Sequence, residues 1–270
     1  MAGKSYSYAG KWALITGASA GLGVEFARQL AARGAHLILV ARREERLRAL
    51  AQELKSRYSV ESEVLVADLS QRESSEQVFQ AVQALHREVR VLVNNAGFGI
   101  YGKLDETPAA RNQEMLMVNV VAAASLTRLF LPAMVEARDG VIMNVSSTSA
   151  FQSVPFMANY GASKAFVLAL TEGVWAENRE SGVRALAVCP GPVETEFFEV
   201  MGSGEPFPLR KDTAENVVAS ALRAVDHNRN YIIPGPVLNY LMANATRFAP
   251  RAWVTRITAR MLKPRGGKGG

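Results

Sequence analysis

Tyr160 and Lys164 stand one helical turn apart in the segment 159-NYGASKAFVLAL-170, and apolar residues follow at Ala165, Phe166, Leu168 and Ala169. Residues i and i+4 share a helix face, so the phenol and the ammonium can meet. A free tyrosine titrates at about 10, too high for proton exchange near neutrality. A neighbouring positive charge favours the phenolate and lowers that value. The pair is expected to be a proton donor and acceptor tuned toward working pH, with the lysine also free to hydrogen-bond a sugar hydroxyl.

A second group of residues is suited to an anion. In 16-TGASAGLG-23, glycines stand at 17, 21 and 23, after a β-branched run and before a helical stretch. Such a turn lets a diphosphate approach the backbone, and the helix N-terminus beyond it offers free N–H groups and a positive dipole end. An ordinary βα turn is the alternative, and three glycines in eight residues argue against it. The spacing is G-x-x-x-G-x-G rather than the commoner G-x-G-x-x-G. Folds that bind NAD usually carry an acid at the end of the second strand to hold the ribose hydroxyls. This chain has Ala41, Arg42 and Arg43 there. A small neutral residue leaves room for a 2′-phosphate, and a guanidinium can pair with it through two hydrogen bonds. Arg42 is expected to make that contact. Arg43 is grouped with it, although it could equally sit on a solvated helix face balanced by Glu44 and Glu45. Asp68, with Leu69, closes the third strand, where its carboxylate either accepts from an adenine amino group or caps the next helix. The turn 94-NNAG-97 ends the fourth strand and suits a close approach of main chain to a ribose.

These groups need a frame that brings them to one edge. Strands are expected over residues 12–16, 36–41, 63–67, 90–94, 141–147, 183–189 and 230–234. Helices are expected over 22–33, 43–57, 73–86, 109–137, 157–179 and 213–227. Several strands are apolar on both faces, as in a parallel sheet covered by helices. The alternation implies an α/β, doubly wound parallel sheet of about seven strands with helices on both faces and ligands at the carboxyl ends of the strands. No linker interrupts it, so residues 1–262 read as one domain and 263–270 as a disordered tail.

The 270 residues carry 31 basic and 25 acidic side chains, and seven of the basic ones fall between Thr246 and Gly270, where no acid occurs. The body is therefore nearly neutral, which argues against nucleic acid as a partner. The three histidines are scattered and no Cys/His cluster has metal-ligand spacing, so no metal is expected. A single cysteine, Cys189, excludes an internal disulfide and reads as a small buried group. No apolar run approaches the roughly 20 residues of a membrane span, and the N-terminus lacks a signal-type core, so the expected location is the cytoplasm.

Taken together, 16-TGASAGLG-23, 94-NNAG-97, 146-SS-147, 160-YGASK-164 and 190-PGPVET-195 resemble the short-chain dehydrogenase/reductase family over about residues 11–200. The resemblance implies a Rossmann-type fold and a catalytic tetrad carried by matching positions. Tyr160 would be the acid/base and Lys164 its partner and nicotinamide-ribose ligand. Ser147 would hold the substrate oxygen, with Ser146 as its competitor. Asn119, in 115-MLMVNVVA-122, would order a water; as a buried amide it could also tether helix to sheet. The implied cofactor contacts are Gly17, Ser19, Gly21, Leu22, Gly23, Arg42, Arg43, Asp68, Leu69, Asn95, Ala96, Gly97, Tyr160, Lys164, Pro190, Gly191, Val193 and Thr195. Many NADPH users of the family also place a basic residue inside the glycine turn; position 20 here is alanine, which leaves Arg42 to select NADP(H). Relatives often pair through the helices matching 109–137 and 157–179, so a homodimer or homotetramer is implied.

The substrate side is expected to involve a loop over about 196–212 and the side chains Phe98, Ser147, Phe151, Val154, Phe156, Met157, Tyr160, Phe197 and Met201. They are mostly apolar, and no arginine in these segments is an evident anion anchor. The reading is an NADPH-dependent reductase of a hydrophobic ketone or aldehyde, with a non-enzymatic NADP(H) sensor as the alternative. A methyltransferase on a similar sheet would explain the glycine turn but leave Tyr160, Lys164 and Ser147 without a role. In the basic segment 246–262, 251-RAWVTRITARML-262 reads as a helix with Trp253, Ile257 and Met261 on one stripe. Such a segment can lie on an anionic membrane, cover the pocket or pack on a partner.

Overall fold

The computed structural model describes residues 5–201 and 211–263. Seven parallel strands form one sheet in the order β3-β2-β1-β4-β5-β6-β7. They are β1 (Trp12–Thr16), β2 (His36–Ala41), β3 (Ser62–Val66), β4 (Val89–Asn94), β5 (Gly140–Val145), β6 (Val183–Val188) and β7 (Tyr231–Ile232). All seven expected strands are present, the last cut to two residues at the sheet edge. Strand β1 lies between β2 and β4, so the chain runs outward from it in one direction and then in the other. The crevice of a doubly wound sheet opens at that reversal, beyond the carboxyl ends of β1 and β4.

Strands buried on both faces explain why their sequences do not alternate. Ala13 and Ile15 face one apolar layer with Phe26, Leu30, Leu47 and Leu54, while Trp12 and Leu14 face a second with Val78, Leu126, Phe130 and Met134. Helices α1 (Gly21–Ala31), α2 (Glu44–Tyr58) and α8 (Ala214–Asp226) supply the first layer. Helices α3 (Ser74–Ala84), α5 (Ala123–Glu136) and α6 (Ala158–Glu177) supply the second.

The helix expected over 109–137 is broken into α4 (Ala109–Leu116), a π-helical segment (Met117–Ala122) and α5. The wider π turn carries Asn119; such bulges occur often at functional sites. Ala109–Glu136 is also long and apolar enough to cross a membrane by length and composition, contrary to the expectation of no such run. Part of it, with Leu126, Phe130 and Met134, is buried against the sheet.

Past β6, helix α7 (Phe197–Met201) starts the expected substrate loop, whose residues 202–210 lie outside the described residues. Helices α9 (Val237–Ala245) and α10 (Arg251–Leu262) follow β7. α10 coincides with the helix read at 251–262, whereas α9 was not foreseen. The tail expected to be disordered lies, beyond Lys263, outside the described residues.

Candidate active site

The turn after β1 is held open by its glycines. Gly17 and Gly21 have φ of +67° and +53°, in the left-handed region that glycine adopts without penalty. A Cβ on Gly23 would lie 2.2 Å from the Gly17 carbonyl oxygen, so α1 can pack against the turn only with glycine there. Helix α1 begins with no side-chain cap and no acid in its first turn. Its amides therefore face the crevice without an internal acceptor from a capping side chain, an arrangement that fits a diphosphate.

The neighbouring turn is tied to this one by Thr16, a residue that sequence reading missed. Its hydroxyl accepts from Asn95 N and Ala96 N, both at 3.0 Å, while Asn95 Nδ2 donates to the Thr16 carbonyl at 2.9 Å. Below it, buried Asn94 donates to Asn144 Oδ1 at 2.8 Å, and Asn144 donates to Thr171 Oγ1 at 2.9 Å. This chain of amides fixes β4, β5 and α6 in register at the edge where the reactive residues emerge.

The two arginines take different positions. Arg42 is largely exposed, with Nη1 4.0 Å from Asp68 Oδ2. Arg43 does not pair with Glu44 or Glu45. Its Nε donates to Ser19 Oγ at 3.1 Å and its Nη1 to Glu196 Oε2 at 3.0 Å, while Arg46 holds the other Glu196 oxygen at 2.8 Å. The Arg46 and Arg43 hydrogen bonds hold the Glu196 carboxyl below its ordinary value. Arg43 thus reaches the glycine turn and clasps the loop that leads to the substrate side. Asp68 does not cap α3, which starts at Ser74 with Glu73 in the cap position. Its carboxylate accepts instead from Ser70 N at 3.1 Å and Ser70 Oγ at 2.9 Å. Burial pushes its carboxyl up, but the Ser70 hydrogen bonds and the Arg42 charge outweigh that, and the net shift is downward.

At the other end of the crevice, Tyr160, Lys164, Ser147 and Asn119 are all buried and close together. Ser146 points away and donates to the Lys164 carbonyl at 2.7 Å, so it is a tether between β5 and α6. Ser147 Oγ donates to the Pro190 carbonyl at 3.5 Å and accepts from Ser149 N at 3.1 Å, and its hydroxyl draws the Tyr160 pKa down. Lys164 Nζ donates to the Val145 carbonyl at 2.9 Å and sits 5.7 Å from the Tyr160 ring centre. Asn119 is fully engaged: it donates to Phe98 O at 3.0 Å and Ser163 Oγ at 3.1 Å and accepts from Phe98 N at 3.1 Å. A Cβ on Gly97 would lie 2.9 Å from Asn119 Oδ1 and 3.2 Å from Lys164 Nζ, so glycine keeps that spot open.

The expected lowering of the Tyr160 pKa by Lys164 is not what the protein alone produces. Burial pushes the phenol up to about 12, and the Ser147 hydrogen bond offsets only part of this. Burial also pushes the Lys164 ammonium down to about 8. Burial is the largest cause of both shifts. Cys189 is buried, and that burial pushes its thiol up to about 12.

A single cleft of about 800 Å³ joins the two ends. Every expected cofactor residue lines it except Gly23, which packs the turn from behind. Over it, Thr195 lies 3.0 Å from the position of a Gly21 Cβ. Val193 forms a bridge with Asp212 built from Glu194 N and Pro192 O, which leaves its own amide out of the bridge. Of the expected substrate residues, Phe98, Ser147, Val154, Met157, Tyr160 and Phe197 line the cleft. Phe151, Phe156 and Met201 do not. Phe151 packs on Tyr231, Phe156 has a φ of +64° and faces Tyr101, and Met201 is buried behind Phe197 near Gly99.

The cleft has walls that motif reading could not supply. Asn239, Met242 and Thr246 from α9 and its end, and Val254, Ile257, Thr258, Met261 and Leu262 from α10, close its substrate side. Tyr101 Oη hydrogen-bonds the Leu262 carbonyl and fastens the end of α10. Arg111 and Glu114 of α4 also line the cleft. Arg111 stacks over Phe98 at 4.2 Å and pairs with Glu114 at 2.7 Å, so a charged pair that the mostly apolar expectation did not include stands at the cleft. Among the described residues no group of His, Cys, Asp and Glu could hold a metal ion.

Comparison with known proteins places this arrangement in context. The family model described as short chain dehydrogenase matches residues 11–205. A very-long-chain 3-oxoacyl-CoA reductase of Anas platyrhynchos is 35% identical over 225 residues, 80% of this chain and 69% of the relative. A 7β-hydroxysteroid dehydrogenase of Collinsella aerofaciens is 36% identical over 186 residues, 69% of this chain and 70% of the relative. Among solved structures, one from a study of 7β-hydroxysteroid dehydrogenase stereoselectivity superposes with a TM-score of 0.84 at 29% identity, covering 93% of this chain and 98% of that one. A short-chain dehydrogenase from Sphingobium yanoikuyae in complex with NADPH superposes with a TM-score of 0.79 at 30% identity, covering 96% and 98%.

Proposed function

The chain belongs to the short-chain dehydrogenase family and is an oxidoreductase, and from that premise we propose that it uses NADP(H) to reduce a hydrophobic ketone or aldehyde, reversibly oxidising the secondary alcohol. The observation that carries this reading is the single cleft with the glycine turn and Arg42 at one end and Tyr160 under an apolar wall at the other. The printed names of relatives are compatible with this: one is a very-long-chain 3-oxoacyl-CoA reductase and another a 7β-hydroxysteroid dehydrogenase, and a long acyl chain and a steroid skeleton are both largely hydrocarbon. A similar chain has been solved with NADPH.

The turn from Gly17 to Gly23 and the N-terminus of α1 would hold the diphosphate, Arg42 the 2′-phosphate, Asp68 and Leu69 the adenine, Asn95, Ala96, Gly97 and Lys164 the riboses. The segment 190–195 would cover the nicotinamide. When bound, NADPH supplies the hydride that the chain itself cannot. Ser147 and Tyr160 then orient the carbonyl oxygen by hydrogen bonding, and the Tyr160 proton passes to that oxygen. With its pKa pushed up to about 12, Tyr160 keeps this proton at neutral pH and serves as an acid. Lys164, at about 8, remains mostly charged there and stabilises the phenolate left behind.

Residues 1–262 are taken to work as one domain in the cytoplasm. Val121 and Phe166, both partly exposed on the helices expected to pair two copies, support a homodimer or homotetramer. The reading is tested by following NADPH and NADH oxidation over ketones and aldehydes graded from small and polar to long-chain and polycyclic. Consumption of NADPH in preference to NADH, rising with apolar size, is expected; preference for NADH or for small polar carbonyls would sink it.

A further inference from the structure

From His227 to Gly270 the chain holds eight basic residues and no acid. Its described part builds α9 and α10, and these turn large apolar side chains to the outside. Phe248 is 91% and Trp253 64% exposed, with Leu238, Leu241, Ile257 and Met261 each more than half exposed. A monomer rarely leaves so many on one short segment unless something covers them. Around them stand Arg247, Arg251, Arg256 and Arg260, none of which is ion-paired among the described residues. Other surface arginines, Arg57 and Arg179 among them, also lack an ion pair among the described residues, but Glu53 and Glu61, or Glu177 and Glu180, stand within a few residues of them, whereas no acid occurs anywhere from His227 onward.

We propose that the outer face of α9 and α10 docks on an anionic phospholipid bilayer, and that the substrate end of the cleft opens into that face. The charge selects this occupant. A second copy on the same face would bring unpaired arginines against unpaired arginines. A nucleic acid would leave Leu238, Leu241 and Phe248 in water. A bilayer with acidic headgroups meets both needs, burying the apolar ridge at the acyl boundary while the arginines reach phosphates and carboxylates. Met242, Ile257 and Met261 join the face to the cleft, since each lines the cleft and is also about half exposed. A carbonyl compound dissolved in the bilayer could therefore reach Tyr160 along apolar side chains. That entry route rests on the reductase reading; docking itself does not.

The full chain is tested by co-sedimentation with vesicles of phosphatidylcholine alone and of phosphatidylcholine with about 30% phosphatidylserine, at low and at 0.5 M salt. Binding to the anionic vesicles only, weakened by salt, is expected. The double variant Arg251→Glu/Arg256→Glu should weaken partition at least about 25-fold, since each basic residue near the surface is worth about fivefold. Phe248→Ser/Trp253→Ser should also release the protein while leaving turnover of a water-soluble ketone unchanged. Equal affinity for neutral vesicles, or no binding to either kind, overturns the proposal, and neither comparison requires a variant. So does a change from dimer to monomer in Phe248→Ser/Trp253→Ser with vesicle binding intact, which would assign the face to a second copy.

Discussion

The two ends of the cleft are built on different principles. The phosphate end is made of backbone: Gly17, Gly21 and Gly23 at the turn, uncapped amides of α1, and the Thr16 hydroxyl bridging to Asn95 and Ala96. Its tolerances are a few tenths of an ångström, and most of its residues lie within the first hundred positions. The substrate end is made of side chains on Phe98, Met157, Phe197 and the late helices α9 and α10. Its walls are mostly apolar groups, with the Arg111–Glu114 pair beside them, and lie on helices and loops rather than on strands. A rigid end suits a ligand of fixed shape, and an adjustable end suits divergence in substrate. Tyr160 and Lys164 stand where they meet. The loop after β6 couples them, because Glu196 is clasped by Arg43 and Arg46 while the next residue, Phe197, packs 5.6 Å from the Tyr160 ring.

The contrast can be broken most directly at Gly23. Gly23→Val would push side-chain atoms into the Gly17 carbonyl, and loss of NADPH binding together with a lowered melting temperature is expected, in line with a penalty of about 1–3 kcal/mol or more for overpacking. Near-normal NADPH titration of this variant would show that the turn is more forgiving than its geometry implies. Next in size, Arg42→Ala should weaken NADPH about 10- to 100-fold, the value of about 1.5–3 kcal/mol for charged hydrogen bonds, and leave NADH unchanged. An equal loss for both nucleotides would mean that Arg42 shapes the site without reading the phosphate.

A pH profile sharpens the junction between the ends. Lys164 is charged below about 8 and Tyr160 holds its proton below about 12. The reducing form is thus complete in the neutral range and is lost as pH rises through about 8. The rate of ketone reduction at saturating NADPH should be level from pH 6 to 7 and fall about tenfold per unit above the midpoint. A rate that climbs through pH 8 contradicts the assigned protonation states. The smallest effect belongs to the adjustable wall. Val254→Ala should raise KM for a long-chain ketone about two- to fivefold, with NADPH affinity and melting temperature nearly unchanged. A large loss of stability would show that α10 is part of the frame.

Much of the frame was legible in the sequence because burial on both faces leaves continuous apolar runs, and the seven strands fall where those runs are. The pairing of Tyr160 with Lys164 was legible because proton chemistry needs particular residue types, and a lysine beside a tyrosine at i+4 has few structural uses; Ser147 and Asn119 were expected only from the family resemblance, and the structure buries both beside that pair. What escaped depended on contacts between distant segments. The π turn at Asn119 has no local signature in 115-MLMVNVVA-122, and the side chain it presents is held by Phe98 and Ser163 from other elements. Arg43 and Arg42 are adjacent and chemically identical, so only their placement distinguishes the one bound to Ser19 and Glu196 from the one left exposed. The upward shift of Tyr160 follows from how deeply it is buried, which sequence spacing does not report. Helix α9 was missed because β7 shrinks to two residues and no family motif extends past the loop after β6.

The central claim is that Tyr160 gives its proton to a substrate oxygen in a site that binds NADPH independently of that step. It is tested by titrating NADPH into Tyr160→Phe and measuring turnover of the best apolar ketone in the same preparation. The account predicts NADPH affinity within about twofold of the unaltered protein and a turnover number about 10²–10⁴-fold lower. Turnover that survives the loss of one hydroxyl would contradict it and assign the proton to another group.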